Sequence, residues 1–208
     1  DVCSSDLDGL PHDARERLLS IGRTEFGAAL DRPGVRAFWW PRFERIVDWF
    51  IETEIARRPA LAASVTEAHG RLDLGGFTLT GFADRIDRLE SGGLVILDYK
   101  TGGVPKADEV ALGLSPQLPL EALIAEAGGF ENVEAAKVEA LEYWRLSGAD
   151  PAGEIRSLAD DPRALIEAAR AGLLALIARF ADPNTPYLSR PDPVSCPRYS
   201  DYDHLARV

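Results

Sequence analysis

Two aspartates and a lysine stand where this chain could do chemistry on a phosphate: Asp84 in Gly81-Phe82-Ala83-Asp84, and Asp98 and Lys100 in Asp98-Tyr99-Lys100, reached through the apolar run Leu94-Val95-Ile96-Leu97. Side chains on a strand alternate faces, so Asp98 and Lys100 emerge together while Tyr99 turns away. An acid pair offers the oxygens that a hard cation such as Mg²⁺ takes. A lysine beside it neutralises a phosphate or steadies an attacking water.

Whether the acids meet depends on a hairpin. A three-residue loop of Glu90, Ser91 and Gly92 pairs Leu89 with Gly93 and, counting back, sets Asp84 opposite Asp98 on the same face. Their β-carbons are then about 5 Å apart. A two-residue turn would send them to opposite faces unless a bulge intervened. Gly92 suits the left-handed position of the longer loop. Carboxylates this close repel, and a cation or a retained proton relieves the conflict. Two readings stand side by side: a metal-holding pair, or a solvated ion-pair ladder of Asp84, Arg85, Asp87 and Arg88 at a sheet edge with Lys100 as ordinary surface.

The elements around these residues follow from periodicity. Residues 13–30 and 35–58 read as helices, the second carrying Trp39, Trp40, Phe43, Ile46, Val47, Phe50 and Ile51 at three- and four-residue steps. That stripe is read as core rather than a base-stacking platform. Segments 64–74, 77–89 and 93–100 form a β-meander, and the apolar run before Asp98 marks a central strand covered on both sides. Ser115 is placed to cap a helix running through Leu120, Leu123 and Ile124, a further strand spans 137–146, and Asp161-Pro162 opens a long helix. The segment 183–197 is Pro-rich and irregular.

Composition narrows the function classes. At 208 residues and 46% hydrophobic content the chain is ordinary globular material, with no run near the roughly 18 apolar residues of a membrane span. A soluble, intracellular protein is expected. Cys3 and Cys196 lie too far apart in sequence to suggest a disulfide framework or a zinc site. A formal charge of -11 argues against free-standing, tight binding to duplex DNA, so a nucleic-acid substrate would be delivered by something else. No phosphate-binding loop of the ATPase type occurs. The absence of methionine points to a piece of a longer chain, and residues 1–7 resemble translated sequencing adaptor.

Beyond these readings, Gly81-Phe82-Ala83-Asp84-Arg85-Ile86-Asp87, then Ile96-Leu97-Asp98-Tyr99-Lys100-Thr101-Gly102, then Pro116-Gln117-Leu118-Pro119-Leu120-Glu121 resemble the RecB-type branch of the PD-(D/E)XK nucleases. Residues 37–43, 143–148 and 199–207 further resemble the C-terminal nuclease domain of alpha-type AddB, the partner of AddA in a helicase-nuclease. The resemblance implies an α/β, restriction-endonuclease-like fold, a mixed central sheet flanked by helices. It divides the chain into the adaptor-like 1–7, a helical lead-in over 8–61, a nuclease core over 62–182 and a cut-short tail over 183–208.

By the same resemblance Asp84 and Asp98 ligate Mg²⁺ or Mn²⁺, the Tyr99 backbone carbonyl completes the coordination, and Lys100 is catalytic. Gln117 contacts DNA or the lysine, and Arg85 and Thr101 lie along the DNA. The partners implied are single-stranded DNA fed by a helicase and an AddA-type subunit, in a bacterial cytoplasm and away from membranes. The rivals are a nuclease-like module that binds without cutting, and a stand-alone RecB-like or Cas4-like exonuclease.

Two departures from the family pattern are visible. Glu121 stands where tyrosine is usual, four residues after the glutamine, and no upstream helix carries the usual His or Glu ligand. No iron–sulfur cluster is expected, because Cys196 alone cannot build one. Outside the motif, Glu67 and His69 are assigned to surface or structural roles, as is His204, and Asp87 is expected to face away in a salt bridge.

Overall fold

The computed structural model describes residues 9–189, so residues 1–8, Cys196, His204 and most of the Pro-rich tail lie outside the described residues. Five strands form one mixed sheet in sequential order: β1 (Leu61–Asp73), β2 (Thr78–Leu89), β3 (Leu94–Lys100), β4 (Val138–Leu146) and β5 (Gly153–Ser157). The first three make the expected antiparallel meander. β4 then runs parallel to β3, which requires a crossover, and the crossover carries helices α3 (Ala107–Ala111) and α4 (Gln117–Glu126). Helices α1 (Ala14–Phe26) and α2 (Trp40–Arg57) precede the sheet, and α5 (Arg163–Ala181) follows it.

β3 is the central strand and is buried on both faces. Leu94 and Ile96 join Leu118, Ala122 and Ile124 of α4 in the larger core, while Val95 and Leu97 pack with Trp144, Trp49 and Phe50 on the α2 side. Burying apolar side chains on both sides removes this strand wholly from water, as its unbroken apolar run requires. Gly81 admits α4 closely: a β-carbon there would lie 3.2 Å from Ile124 Cδ1.

The aromatic stripe of α2 is only partly core. Phe50 and Trp49 pack on Trp144, and Trp40 and Phe43 gather with Phe26 of α1, ring centroids 5.5 to 5.8 Å apart. Trp39, expected inside, is 59% exposed. Residues 35–39 wind as a π-helix, whose wider turn puts them out of phase with the buried face of α2. α4 begins without a side-chain cap from Ser115, and Pro116 stands at its N-cap. The short β5 and α3 were not anticipated from periodicity.

The α2 face of the sheet carries a buried ionic network. Arg85 donates to Glu54 of α2 (2.5 Å) and to Asp87 (2.6 Å), Asp87 also accepts from Ser64 and Arg57, and Arg57 reaches Glu142, which takes the Trp144 indole N–H. Burial works against the Arg85 charge, but its bonds to Glu54 and Asp87 outweigh it and raise its pKa. Removing one member of such a set leaves its partners charged and dry. Arg85→Ala is therefore expected to destabilise the fold by about 3 kcal/mol in urea denaturation, since the buried Glu54 would lose both of its Arg85 bonds and Asp87 its shortest one.

Candidate metal and phosphate site

The hairpin between β2 and β3 closes as its sequence requires: Leu89 N–H donates to Gly93 O, Gly92 N–H donates to Leu89 O, and Gly92 holds φ +91°. The resulting register pairs Ile86 with Ile96 and Arg85 with Leu97, and there the ladder ends. One step further the same register sets Asp84 across from Asp98. In place of another backbone bond, the Tyr99 N–H donates to Asp84 Oδ2 at 2.9 Å. The acid has become the acceptor that the departing strand no longer supplies.

A reversal of facing lies beside this point. Val65 and Ile86 pack into the α4-side core, and so do Ala68 and Ala83, although each pair member lies an odd number of residues from its strand-mate. Strict alternation forbids that, so both strands turn over once in between. On β1 the turnover coincides with Glu67, held at φ +50° between the pairs Thr66–Arg85 and Ala68–Ala83, and thus across from Asp84. The Glu67 side chain is exposed, as its surface assignment anticipated.

Asp98 is 2% exposed and stands on the α4 face. Lys100 Nζ hydrogen-bonds its Oδ1 at 2.9 Å and lies 2.7 Å from Oδ2, a contact of charge without hydrogen-bond geometry. Gln117, at the start of α4, donates Nε2 to Asp98 Oδ1 at 2.7 Å and to Glu121 Oε1 at 3.1 Å. The two helix residues reach the site together because positions four apart share a helix face. Register sets Tyr143 of β4 beside Asp98, and Lys100 Nζ lies 5.8 Å from its ring centroid.

Asp84, Asp98, Lys100, the Tyr99 backbone and Gln117 are thus brought together. Arg85 is not, and its expected place along DNA is corrected here: it is 5% exposed, on the opposite face, with its guanidinium bonded to Glu54 and Asp87. It alternates with Ile86, which faces the α4-side core, and Glu54 of α2 then claims its guanidinium. Gln117, expected at DNA or the lysine, spends its amide N–H groups on Asp98 and Glu121. Thr101 is exposed in the bend after β3. Asp87 faces away into ion pairs, as expected. His69 packs its ring on Phe82, centroids 4.2 Å apart.

Glu121, first visible only as a departure from a motif, is 4% exposed. A lone acid among Leu118, Ala122 and Ile124, four residues from a glutamine, was the signal available for it. Burial raises its pKa to about 7, with Asp98 and Asp84 adding repulsion and the Gln117 bond and Lys100 opposing. Burial likewise pushes the Tyr143 hydroxyl up to about 12. Glu121 Oε2 and Tyr143 Oη are buried without a hydrogen-bond partner, and Asp98 Oδ2 meets only the charge of Lys100. Buried oxygens left open are costly. An all-oxygen donor set of Asp84, Asp98 and the Tyr99 carbonyl suits Mg²⁺ or Mn²⁺ in kind. Among the described residues, no three His, Cys, Asp or Glu side chains already form a cage for an ion.

The family model for the PD-(D/E)XK nuclease superfamily matches residues 7–202. An uncharacterized protein of Rickettsia bellii is 33% identical over 57% of this chain, and one of Rickettsia typhi is 30% identical over 64%. The matches cover 15% and 16% of those relatives, so the chain corresponds to a small part of their length. The crystal structure of SSO0001 aligns over 83% of this chain and 74% of its own, at 15% identity and a TM-score of 0.33.

The raised Glu121 pKa has a thermodynamic consequence. The folded state binds more protons than the unfolded between the usual glutamate value and about 7, so stability falls as pH rises through that window and levels off above it. This one group contributes up to about 3 kcal/mol of that loss. With no divalent cation added, Glu121→Gln is expected to flatten the difference in denaturation free energy between pH 5 and pH 8 and to be the more stable form at pH 8. An unchanged slope would place the carboxyl in water.

Proposed function

Because this chain belongs to the PD-(D/E)XK nuclease superfamily, we propose that it is a metal-dependent DNA nuclease domain hydrolysing phosphodiesters with Asp84, Asp98 and Lys100. One observation carries the reading: Asp84, turned into the fork between β2 and β3 by the Tyr99 N–H, shares that strand end with Asp98 and Lys100. A divalent cation, when bound, would polarise the scissile phosphate and lower the pKa of an attacking water.

Each protein group has a distinct task in this scheme. Asp84 is fixed by backbone and supplies charge without moving. Gln117 fixes the buried Asp98. Lys100, with 31% of its side chain exposed against 3% for Asp98, is the group free to swing from its ion pair toward a phosphate. There it offsets the negative charge that builds on the phosphoryl oxygens. Thr101, just beyond it, is proposed to lie along the DNA.

In its wider setting the domain would process the ends of double-strand breaks as part of an AddAB-type helicase-nuclease in the bacterial cytoplasm, with an AddA-type helicase delivering single-stranded DNA. The charge of -11 supports delivery over free-standing capture. Among the described residues, no helix is long and apolar enough to cross a membrane. A second reading, a module that binds DNA or a partner without cutting, draws on one observation. Glu54, a buried acid of the helices preceding the sheet, is bonded to Arg85 on the opposite face and cannot serve as the upstream ligand.

The decisive assay is Mg²⁺-dependent digestion of single-stranded DNA by the chain, beside Lys100→Ala and Asp98→Ala. Each substitution is expected to lower cleavage by about 100-fold or more. Cleavage surviving both would remove this site from the reaction, and DNA binding with no cleavage by the parent chain would favour the non-cutting module.

A further inference from the structure

Resting on the nuclease reading, we infer that Glu121 is the third carboxylate of the cation site, a helix-borne acid presenting Oε2 to the ion or to its hydration shell. Glu121 is an acid only 4% exposed, joined to Asp98 through Gln117. Its Oε1 takes the same Gln117 amide nitrogen that bonds Asp98 Oδ1, at 3.1 and 2.7 Å, so the two carboxylates flank one donor. That leaves Glu121 Oε2 buried with no hydrogen-bond partner.

A structural acid would be satisfied. The buried acids on the other face of this sheet show the contrast: Glu54, Asp87 and Glu142 each have arginine partners. On the α4 face Lys100 is the cation of the cluster, and it serves Asp98. The α4 face therefore holds more negative charge than its own cation answers. Mg²⁺ keeps several waters when bound, so an acid just outside direct reach still contributes charge and an acceptor. Such outer partners commonly change metal affinity by about 10–100-fold when removed.

α4 rises directly from the crossover after β3 and packs across β2 and β3. An acid on its first turns approaches the strand ends from the side that α1 and α2 do not cover.

The test is calorimetric titration of the 208-residue chain with Mn²⁺ alone at pH 8, comparing wild type, Asp98→Asn and Glu121→Gln. Glutamine keeps the size of the side chain and the acceptor for Gln117, and removes only the charge and the open carboxylate oxygen. We expect binding in the wild type, its loss in Asp98→Asn, and an affinity about tenfold weaker in Glu121→Gln. Wild-type affinity in Glu121→Gln with loss in Asp98→Asn would overturn this inference and leave the nuclease site standing. No binding in the wild type, or binding indifferent to Asp98→Asn, would overturn both. Should Glu121→Gln fail to fold, Glu121→Asp withdraws the carboxylate by one methylene and keeps its charge. An at least threefold weakening of the Mn²⁺ affinity is then expected, and an unchanged affinity refutes the assignment.

Discussion

A single hydrogen bond, from the Tyr99 N–H to the Asp84 carboxylate, sets the geometry of the proposed site. Strands β2 and β3 run as a regular pair up to Arg85 and Leu97, and then the ladder stops. A half-buried backbone donor at that point needs an acceptor. By taking that place, the Asp84 side chain is drawn into the opening between the strands, beside Asp98 and Lys100. The fork and the site are one feature seen from backbone and side chain.

The two faces of the sheet treat buried charge in opposite ways. Under α2, Arg85, Arg57, Glu54, Asp87 and Glu142 close on one another, with Ser64, Tyr99 and Trp144 supplying further contacts. Such a set holds a helix on a sheet and has little left to offer a ligand. Under α4, Lys100 pairs with Asp98, the Gln117 amide joins Asp98 to Glu121, Asp84 takes the Tyr99 N–H, and Glu121 Oε2 and Tyr143 Oη stay open. Excess negative charge in a dry place raises the Glu121 pKa to about 7. The same excess favours an incoming cation.

Much of the frame was legible in the chain. The three-residue loop with Gly92, the register that sets Asp84 across from Asp98, the meander, the doubly covered β3 and the turn of Asp87 to the face opposite the site all follow from alternation and turn chemistry. These rules are local, and the structure obeys them. Trp39 and Arg85 departed for reasons local rules do not carry. A π-helical turn shifted the phase of the first, and for the second the tertiary approach of Glu54 decided what a basic residue beside a motif aspartate would meet. Glu67 and the turnover of two strands at one level left no pattern in the sequence, because neither residue type nor spacing marks a glutamate for a backbone angle of +50°.

The sequence by itself determined which atoms could meet at the end of β3, because strand periodicity and loop length fix register through covalent geometry alone. The tertiary structure decided what surrounds them. The approach of α4 over Gly81, the ion network that occupies Arg85, and the burial that leaves Glu121 without a partner come from contacts between segments distant in the chain. Desolvation is set by everything packed around a group, and no spacing along one strand can encode it.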